Sequence, residues 1–188
     1  HQMGRLREAG VQVALIRGNH DAASQITKSL RLPDNVRELS TSRAHTLNYD
    51  DLGLAVHGQS FASRAVMDNL AHSYPARVPQ LLNVGLLHTS VTGRSGHEPY
   101  APCTLDDLRS KGYDYWALGH VHAHEVVSRE PWVVFPGNRN RLVITDDPVT
   151  LEIPMKAGQS GQDFEVFVGF QLSRAELEYN RRARRSIR

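Results

Sequence analysis

Three apolar runs of this chain each end in a short cluster of polar side chains. The clusters are residues 18–21 (GNHD), 88–90 (HTS) and 119–122 (GHVH). Unbroken apolar runs are typical of strands that are buried in a parallel sheet. Because the loops at the carboxyl ends of such strands converge on one crevice, the pattern predicts an α/β fold that gathers the three clusters at a single site.

Each cluster has an ordinary explanation when it is taken alone. A single histidine after a strand is usually a hydrogen-bonded structural residue. GNHD could form a type I turn, and either histidine of GHVH could simply face water. Three clusters at strand ends are better explained by a shared metal or phosphate site, since histidine, asparagine and aspartate are ligands of first-row transition metals.

The composition is that of a globular protein. Of the 188 residues, 40% are hydrophobic and 22% are charged, which suits one domain or a piece of a larger one. No apolar run approaches the ~18–20 residues of a membrane helix, and the polar N-terminus does not resemble a signal peptide. The single cysteine, Cys103, excludes an internal disulfide and fits a reducing compartment, so we expect a cytoplasmic protein.

Hydrophobic periodicity and turn residues predict helices that alternate with strands. The expected helices are the N-terminal segment that ends at Gly10, then 22–32, 62–72, 104–110 (stopped by Gly112) and 173–188. The expected strands are 11–19, 45–49 and 52–57 as a hairpin that turns at Asp50 and Asp51, then 81–90, 114–118, 131–138, 149–154 and 163–172.

Both ends of the chain lead to further expectations. A helix followed by a parallel strand implies an earlier strand, but none lies upstream and the first residue is His1, so we expect the natural protein to extend further. Residues 155–162 form the one flexible-looking joint, which predicts a division into 1–154 and 155–188. The last eight residues contain five arginines. Such a tail could contact nucleic acid or an acidic partner, although a solvated helix end is the ordinary alternative.

The three clusters also carry a family resemblance. The segments GNHD, LLHTS and ALGHVH resemble the third, fourth and fifth motifs of the calcineurin-like metallophosphoesterases, and most closely those of the DNA-repair exonuclease branch, the bacterial SbcD-like and YhaO-like proteins. DDLGLAVHGQSF, VVFPGN and the segment from GHEPYAP to GHVH also resemble that branch. The resemblance covers about residues 1–138. It implies a metallophosphoesterase-type αββα sandwich of mixed sheets flanked by helices, incomplete at its N-terminus.

The resemblance implies a centre of two divalent metal ions, typically Mn²⁺. Asn19, His88 and His120 would hold one ion, and His122 would help to hold the other. The family's first two motifs, Asp-x-His and Gly-Asp-x-x-Asp, are absent from the chain. The chain as written therefore supplies only part of the expected ligand set, and we expect it to bind one ion poorly and the second not at all.

The resemblance also implies an activity. The protein would be a metal-dependent phosphodiesterase that acts on DNA in repair, a 3′→5′ exonuclease with some endonuclease activity. His20 would be the catalytic histidine near the leaving group, and Asp21 would orient it. Relatives form homodimers and work with an SMC-like ATPase subunit, so both are implied partners. The alternatives are a small-molecule phosphodiesterase or phosphatase of the same superfamily and a non-catalytic scaffold that docks a partner.

Three further residues lie near the predicted site. His57 could contact substrate, but its apolar neighbours favour a structural role. Arg94 could contact a phosphate, with a solvated loop as the ordinary alternative. His124 extends the GHVH run, but the family pattern uses only the first two histidines. After FPGN the relatives continue with a Gln-Gly-Arg-His-like segment that this chain lacks, which indicates a missing loop near residues 138–141.

Overall fold

Eight strands and three short α-helices make up the computed structural model, which describes residues 2–24, 31–91 and 100–137. The strands are β1 (Val13–Leu15), β2 (Val36–Glu38), β3 (His45–Tyr49), β4 (Leu54–Gly58), β5 (Leu82–His88), β6 (Tyr115–Gly119), β7 (Glu125–Arg129) and β8 (Trp132–Phe135). The helices are α1 (Gln2–Glu8), α2 (Asn19–Ala23) and α3 (Leu105–Ser110), with 3₁₀ helices at Asp50–Leu52 and Leu70–Ser73. No helix in these ranges is long and apolar enough to cross a membrane.

The strands form two sheets. One has six strands in the order β3-β4-β5-β6-β8-β7, and the other consists of β1 and β2 alone. Strands β4, β5, β6 and β8 run parallel, whereas β3 and β7 pair antiparallel at the two edges of the large sheet. This arrangement confirms the predicted mixed α/β class and is consistent with a metallophosphoesterase fold.

The central strands bury side chains on both faces, which explains why their sequences are continuously apolar. On one face, Leu87, Trp116 and Phe135 belong to a core cluster that also packs α3. On the other, Val84 and Leu86 join a second cluster with residues of β3 and β4. Since successive side chains of a strand point to opposite faces, β5 contributes to both cores in alternation.

The structure confirms the predicted hairpin and the helix before Gly112. Strands β3 and β4 pair antiparallel, and the chain turns through the 3₁₀ helix and Gly53, whose φ is 61°. Helix α3 begins after Thr104, whose side chain and that of Asp107 form a reciprocal capping box. Gly112 then ends the helix with a φ of 66°, a conformation that glycine adopts without steric cost.

One helix prediction was wrong, and the described part of another lies earlier in the chain than expected. Residues 62–72 form no α-helix, and only the single 3₁₀ turn at Leu70–Ser73 is helical. Residues 62–65 are all exposed. The carbonyl of Val66 accepts a hydrogen bond from the Ala101 amide rather than from an amide four residues later, and the Asn69 side chain caps the 3₁₀ turn. The helix predicted for 22–32 begins earlier, at Asn19, and its described part ends at Ala23.

Strands β2 and β7 were not predicted. Strand β2 has only three residues, and the pairing of β7 is interrupted between Val126 and Ser128, so neither shows a regular alternation. The predicted elements at 149–154, 163–172 and 173–188, and the boundary at 154/155, lie outside the described residues.

Gly85 provides a test of the packing between the two central strands. It lies opposite Trp116 in the β5–β6 register, and a Cβ at this position would overlap the indole ring, with Cδ2 2.8 Å away. We expect Gly85→Ala to lower the free energy of unfolding by about 1–3 kcal/mol because Trp116 is fully buried and cannot move aside. Urea unfolding measures the change.

Gly4→Ala is the matched control. Gly4 lies in α1 with no atom within 4 Å of the added Cβ, so alanine should stabilise this helix by up to about 1 kcal/mol. Equal effects of the two substitutions would contradict the packing described for Gly85.

Candidate metal centre

Two of the predicted clusters meet at the carboxyl ends of neighbouring strands. Strands β5 and β6 are parallel, and His88 pairs with Gly119 at the end of their register. His120 follows directly, so its ring lies beside that of His88, with the centroids 5.1 Å apart and the planes at 70°. The two imidazoles that the sequence separates by 32 positions are therefore neighbours.

The surroundings of these rings limit their movement. His88 is almost fully buried, and the edge of its ring contacts Phe61 at a centroid distance of 4.8 Å. A Cβ at Gly119 would lie 2.9 Å from His88 Nδ1, so only glycine leaves room for the ring. Tyr100 packs edge-on against His120 at 5.5 Å. Neither Phe61 nor Tyr100 carried a sequence signal that could have assigned it to the site.

Phe61 contacts both the segment that carries GNHD and the ring of His88. The Phe61 amide donates to the carbonyl of Arg17 at 2.8 Å, just before the GNHD segment, while the Phe61 ring contacts His88. Phe61 also packs with Ala22 of α2 in one apolar cluster. GNHD is not an isolated turn, because Asn19, His20 and Asp21 form the first turn of α2 with Gly18 as N-cap.

Asn19 is a buried polar residue with an unused acceptor. Only 4% of its surface is exposed, and within the described ranges its Oδ1 has no hydrogen-bond partner. A buried amide oxygen left in this state costs about 1–3 kcal/mol, which indicates that a further group binds there. An amide oxygen together with two imidazoles is a donor set that suits a divalent transition metal ion, so the chemistry of the residues present fits the implied metal.

The described residues do not complete a metal site on their own. Within 2–24, 31–91 and 100–137, no group of three or more histidine, cysteine, aspartate or glutamate side chains lies close enough together to hold an ion. The side chains of His20 and His122 are exposed and that of Asp21 is half-buried. The ligand and catalytic roles of these residues stay predictions.

His120 has an unusual backbone conformation. Its φ is 94°, in the region that favours glycine, and non-glycine residues held there store about 1–3 kcal/mol of strain. Such strain persists only where the surrounding structure enforces it and is concentrated at functional sites. Gln80, Val91 and Ala101 also have positive φ, but His120 has the largest value of the four and is the one that belongs to a predicted cluster.

His57 lies inside the sheet rather than in the crevice. Its ring is fully buried and stacks on Tyr113 at 4.1 Å. In the neutral ring Nε2–H donates to Asn83 Oδ1 at 3.0 Å, and Nδ1 accepts from the Thr46 hydroxyl at 2.8 Å. The substrate contact considered for His57 does not fit this position, because both ring nitrogens are occupied. Burial lowers the pKa of His57, although the hydrogen bond to Asn83 opposes this shift.

Two other residues from the sequence analysis can be placed. Arg94, the predicted phosphate contact, lies outside the described residues. Cys103 is buried as predicted, with its Sγ 3.4 Å from Thr89 Oγ1. Burial raises the pKa of the Cys103 thiol to about 11, so the thiol stays protonated at neutral pH and is unreactive.

Comparison with known proteins gives one informative relative. No family model matches the chain. A Bacillus subtilis (strain 168) protein, the uncharacterized metallophosphoesterase YhaO, is 39% identical over 141 residues. The alignment covers 73% of this chain but only 35% of the relative, so the chain spans about a third of that protein's length.

Together with the fold and the histidine pair, this similarity supports membership of the metallophosphoesterase family. Metallophosphoesterases generally use divalent metal ions. The relative's name specifies neither a DNA substrate nor a particular metal.

The strain at His120 can be measured by comparing two substitutions that remove its side chain. We expect His120→Gly to be more stable than His120→Ala by about 1 kcal/mol, because glycine adopts the positive φ without steric cost while both variants lose the same ring. Chemical denaturation of the metal-free protein gives the difference. His122, whose φ is not positive, is the matched control, and there alanine should be the more stable of the two. Equal stability of the His120 pair would contradict the strained conformation.

His57 predicts a dependence of stability on pH. Because its pKa is lowered from the ordinary value of 6.5, the unfolded chain binds a proton near that pH while the folded protein keeps the ring neutral. Stability is therefore greatest above pH 6.5 and falls as the pH drops below it. We expect wild type to lose more free energy of unfolding between pH 7.5 and pH 5.5 than His57→Gln, as measured in urea. An equal loss in both proteins would show that His57 does not cause this dependence on pH.

Proposed function

We propose that this protein is a metal-dependent phosphodiester hydrolase that acts on DNA, a 3′→5′ exonuclease with some endonuclease activity. The similarity to a metallophosphoesterase supports a phosphoester hydrolase in general. The observation that carries the proposal is the buried Oδ1 of Asn19, which has no partner within the described residues. Phe61 contacts both the segment that carries Asn19 and the ring of His88, which pairs with His120.

In this proposal the chain's own side chains provide part of a two-ion centre. Asn19, His88 and His120 hold one divalent ion, and His122 helps to hold the second. Mn²⁺ is the proposed ion. When bound, the ions supply Lewis acidity that offsets the negative charge of the phosphoryl transition state. Neutral imidazole and amide ligands donate less negative charge to an ion than carboxylates would, so the ion keeps more of its Lewis acidity.

His20 is the proposed general acid. It follows the buried Asn19 on the first turn of α2, and its own side chain is exposed. An exposed ring at this position is accessible to a substrate. The leaving sugar oxygen needs a proton, and a histidine can supply one near neutral pH. Asp21 would orient the ring.

DNA is the proposed substrate because the segments that flank the clusters resemble the DNA-repair branch of the family. A duplex presents a regular array of phosphates, and a local basic surface is enough to bind its backbone, whatever the net charge of the whole chain. A homodimer and an SMC-like ATPase subunit are the proposed partners on the same basis.

The test is Mn²⁺-dependent release of nucleotides from 3′-recessed and blunt duplex DNA. Bis-p-nitrophenyl phosphate is assayed in parallel. Hydrolysis needs both ions, so cleavage of either substrate would show that the remaining metal ligands are present in the protein assayed. Where cleavage occurs, we expect His20→Ala to lose about 10²–10⁴-fold in rate, as is usual when a general acid is removed. His72→Ala is the control, since His72 is an exposed histidine that hydrogen-bonds to Asp107 of α3 and belongs to none of the three clusters.

The outcomes separate the possible activities. DNA cleavage that depends on His20 would support the nuclease. Hydrolysis of the small ester alone would replace it with a small-molecule phosphodiesterase. Absence of both activities would overturn hydrolysis by this polypeptide and leave truncation or a non-catalytic scaffold as the explanation.

A further inference from the structure

The 120–124 loop, which joins β6 to β7, carries both histidines of GHVH. It begins with the strained backbone of His120 and continues to the exposed His122. Contacts that outweigh the strain must hold this conformation, so the neighbours of the loop determine where the two imidazoles lie.

Two of these contacts reach the segment at the end of β8. Val121, between the two histidines, is buried in the same core cluster as Phe135. His124 Nδ1 lies 3.2 Å from the carbonyl oxygen of Phe135. Since a carbonyl can only accept, Nδ1 carries the proton and donates it. The loop is thus attached to residue 135 through the core and through a hydrogen bond.

Gly137 provides the third contact, between two stretches of backbone. A Cβ at this buried glycine would lie 2.5 Å from His124 N and 2.8 Å from both Ala123 C and His122 O. All three are backbone atoms, so no side-chain rotation could relieve the overlap. The φ of Gly137 is 70°, which also favours glycine. The loop can hold its position only while residue 137 has no side chain.

We propose that residues 135–137 form a brace that positions the 120–124 loop for metal binding, with Gly137 as its positioning residue. The inference rests on the proposed function, since it assigns to the brace the placement of the proposed ligands His120 and His122. Residues that orient ligands without contacting the metal typically change metal affinity 10–100-fold when they are replaced.

The test compares Gly137→Ala with Gly10→Ala in the 188-residue chain. Gly10 has nearly the same φ, 72°, but no atom lies within 4 Å of an added Cβ. Both variants therefore carry the backbone strain of alanine at positive φ, and only Gly137→Ala displaces the loop. We expect Co²⁺, titrated by its visible absorption, to bind Gly137→Ala at least about 10-fold more weakly than wild type. Gly10→Ala should match wild type.

A second measurement needs no metal. In the metal-free protein, the imidazole resonances of His120 and His122 should shift in Gly137→Ala and stay in place in Gly10→Ala. His124→Ala removes only the hydrogen bond to Phe135 from an exposed side chain. It should shift the same resonances and weaken Co²⁺ binding, and this variant decides the question if Gly137→Ala does not fold.

Unshifted resonances, or shifted resonances with unchanged Co²⁺ affinity, would overturn the brace. If wild type itself does not bind Co²⁺, the proposed function fails, while the resonances of the metal-free protein still decide whether residues 135–137 position the loop.

Discussion

The parallel pairing of β5 with β6 is the constraint on which the candidate site depends. Its last pair, His88 with Gly119, places one imidazole against a residue that has no side chain and brings the next residue, His120, beside it. Any Cβ at position 119 would press on His88 Nδ1. Gly119 is therefore needed for two reasons: it lets the chain turn, and it leaves room for the His88 ring on the neighbouring strand.

A polar network inside the same sheet fixes the register of β5 with its other neighbour, β4. His57 on β4 links Thr46 on β3 to Asn83 on β5, and the Asn83 side chain also donates to the carbonyls of Val78 and Leu81. Buried polar groups are tolerated when every hydrogen bond is made, and they then favour one register. A slip between β4 and β5 would leave these groups unpaired in the core, so the network supports the strand ends that carry the site.

The candidate site, in contrast to this network, contains features that lower the stability of the fold. The amide oxygen of Asn19 is buried without a partner in the described structure, and His120 has a positive φ. Both features lower stability and neither is needed to complete the core. Functional sites commonly retain such costs because the surrounding fold offsets them. Here β5, β6 and the 135–137 brace supply the rigid surroundings.

Local patterns in the sequence determined much of this fold. Continuous apolar runs gave the central strands because those strands are buried on both faces, and the Thr104 capping box with Gly112 set the limits of α3 through contacts within a few residues. GNHD, HTS and GHVH gave the candidate site residues because their chemistry is visible in the residue types. The same reasoning was wrong for residues 62–72, where the carbonyl of Val66 bonds to the distant Ala101 amide instead of continuing a helix.

Only the tertiary structure decided which histidines share the crevice. His57 and His88 both lie in apolar surroundings near strand ends, yet one ring is bonded inside the sheet and the other meets His120. Strand order and register set this difference, and they depend on contacts between residues far apart in sequence. The roles of Phe61, Tyr100 and Gly137 arise in the same way, because a residue's own neighbours in the chain carry no information about the backbone that packs against it.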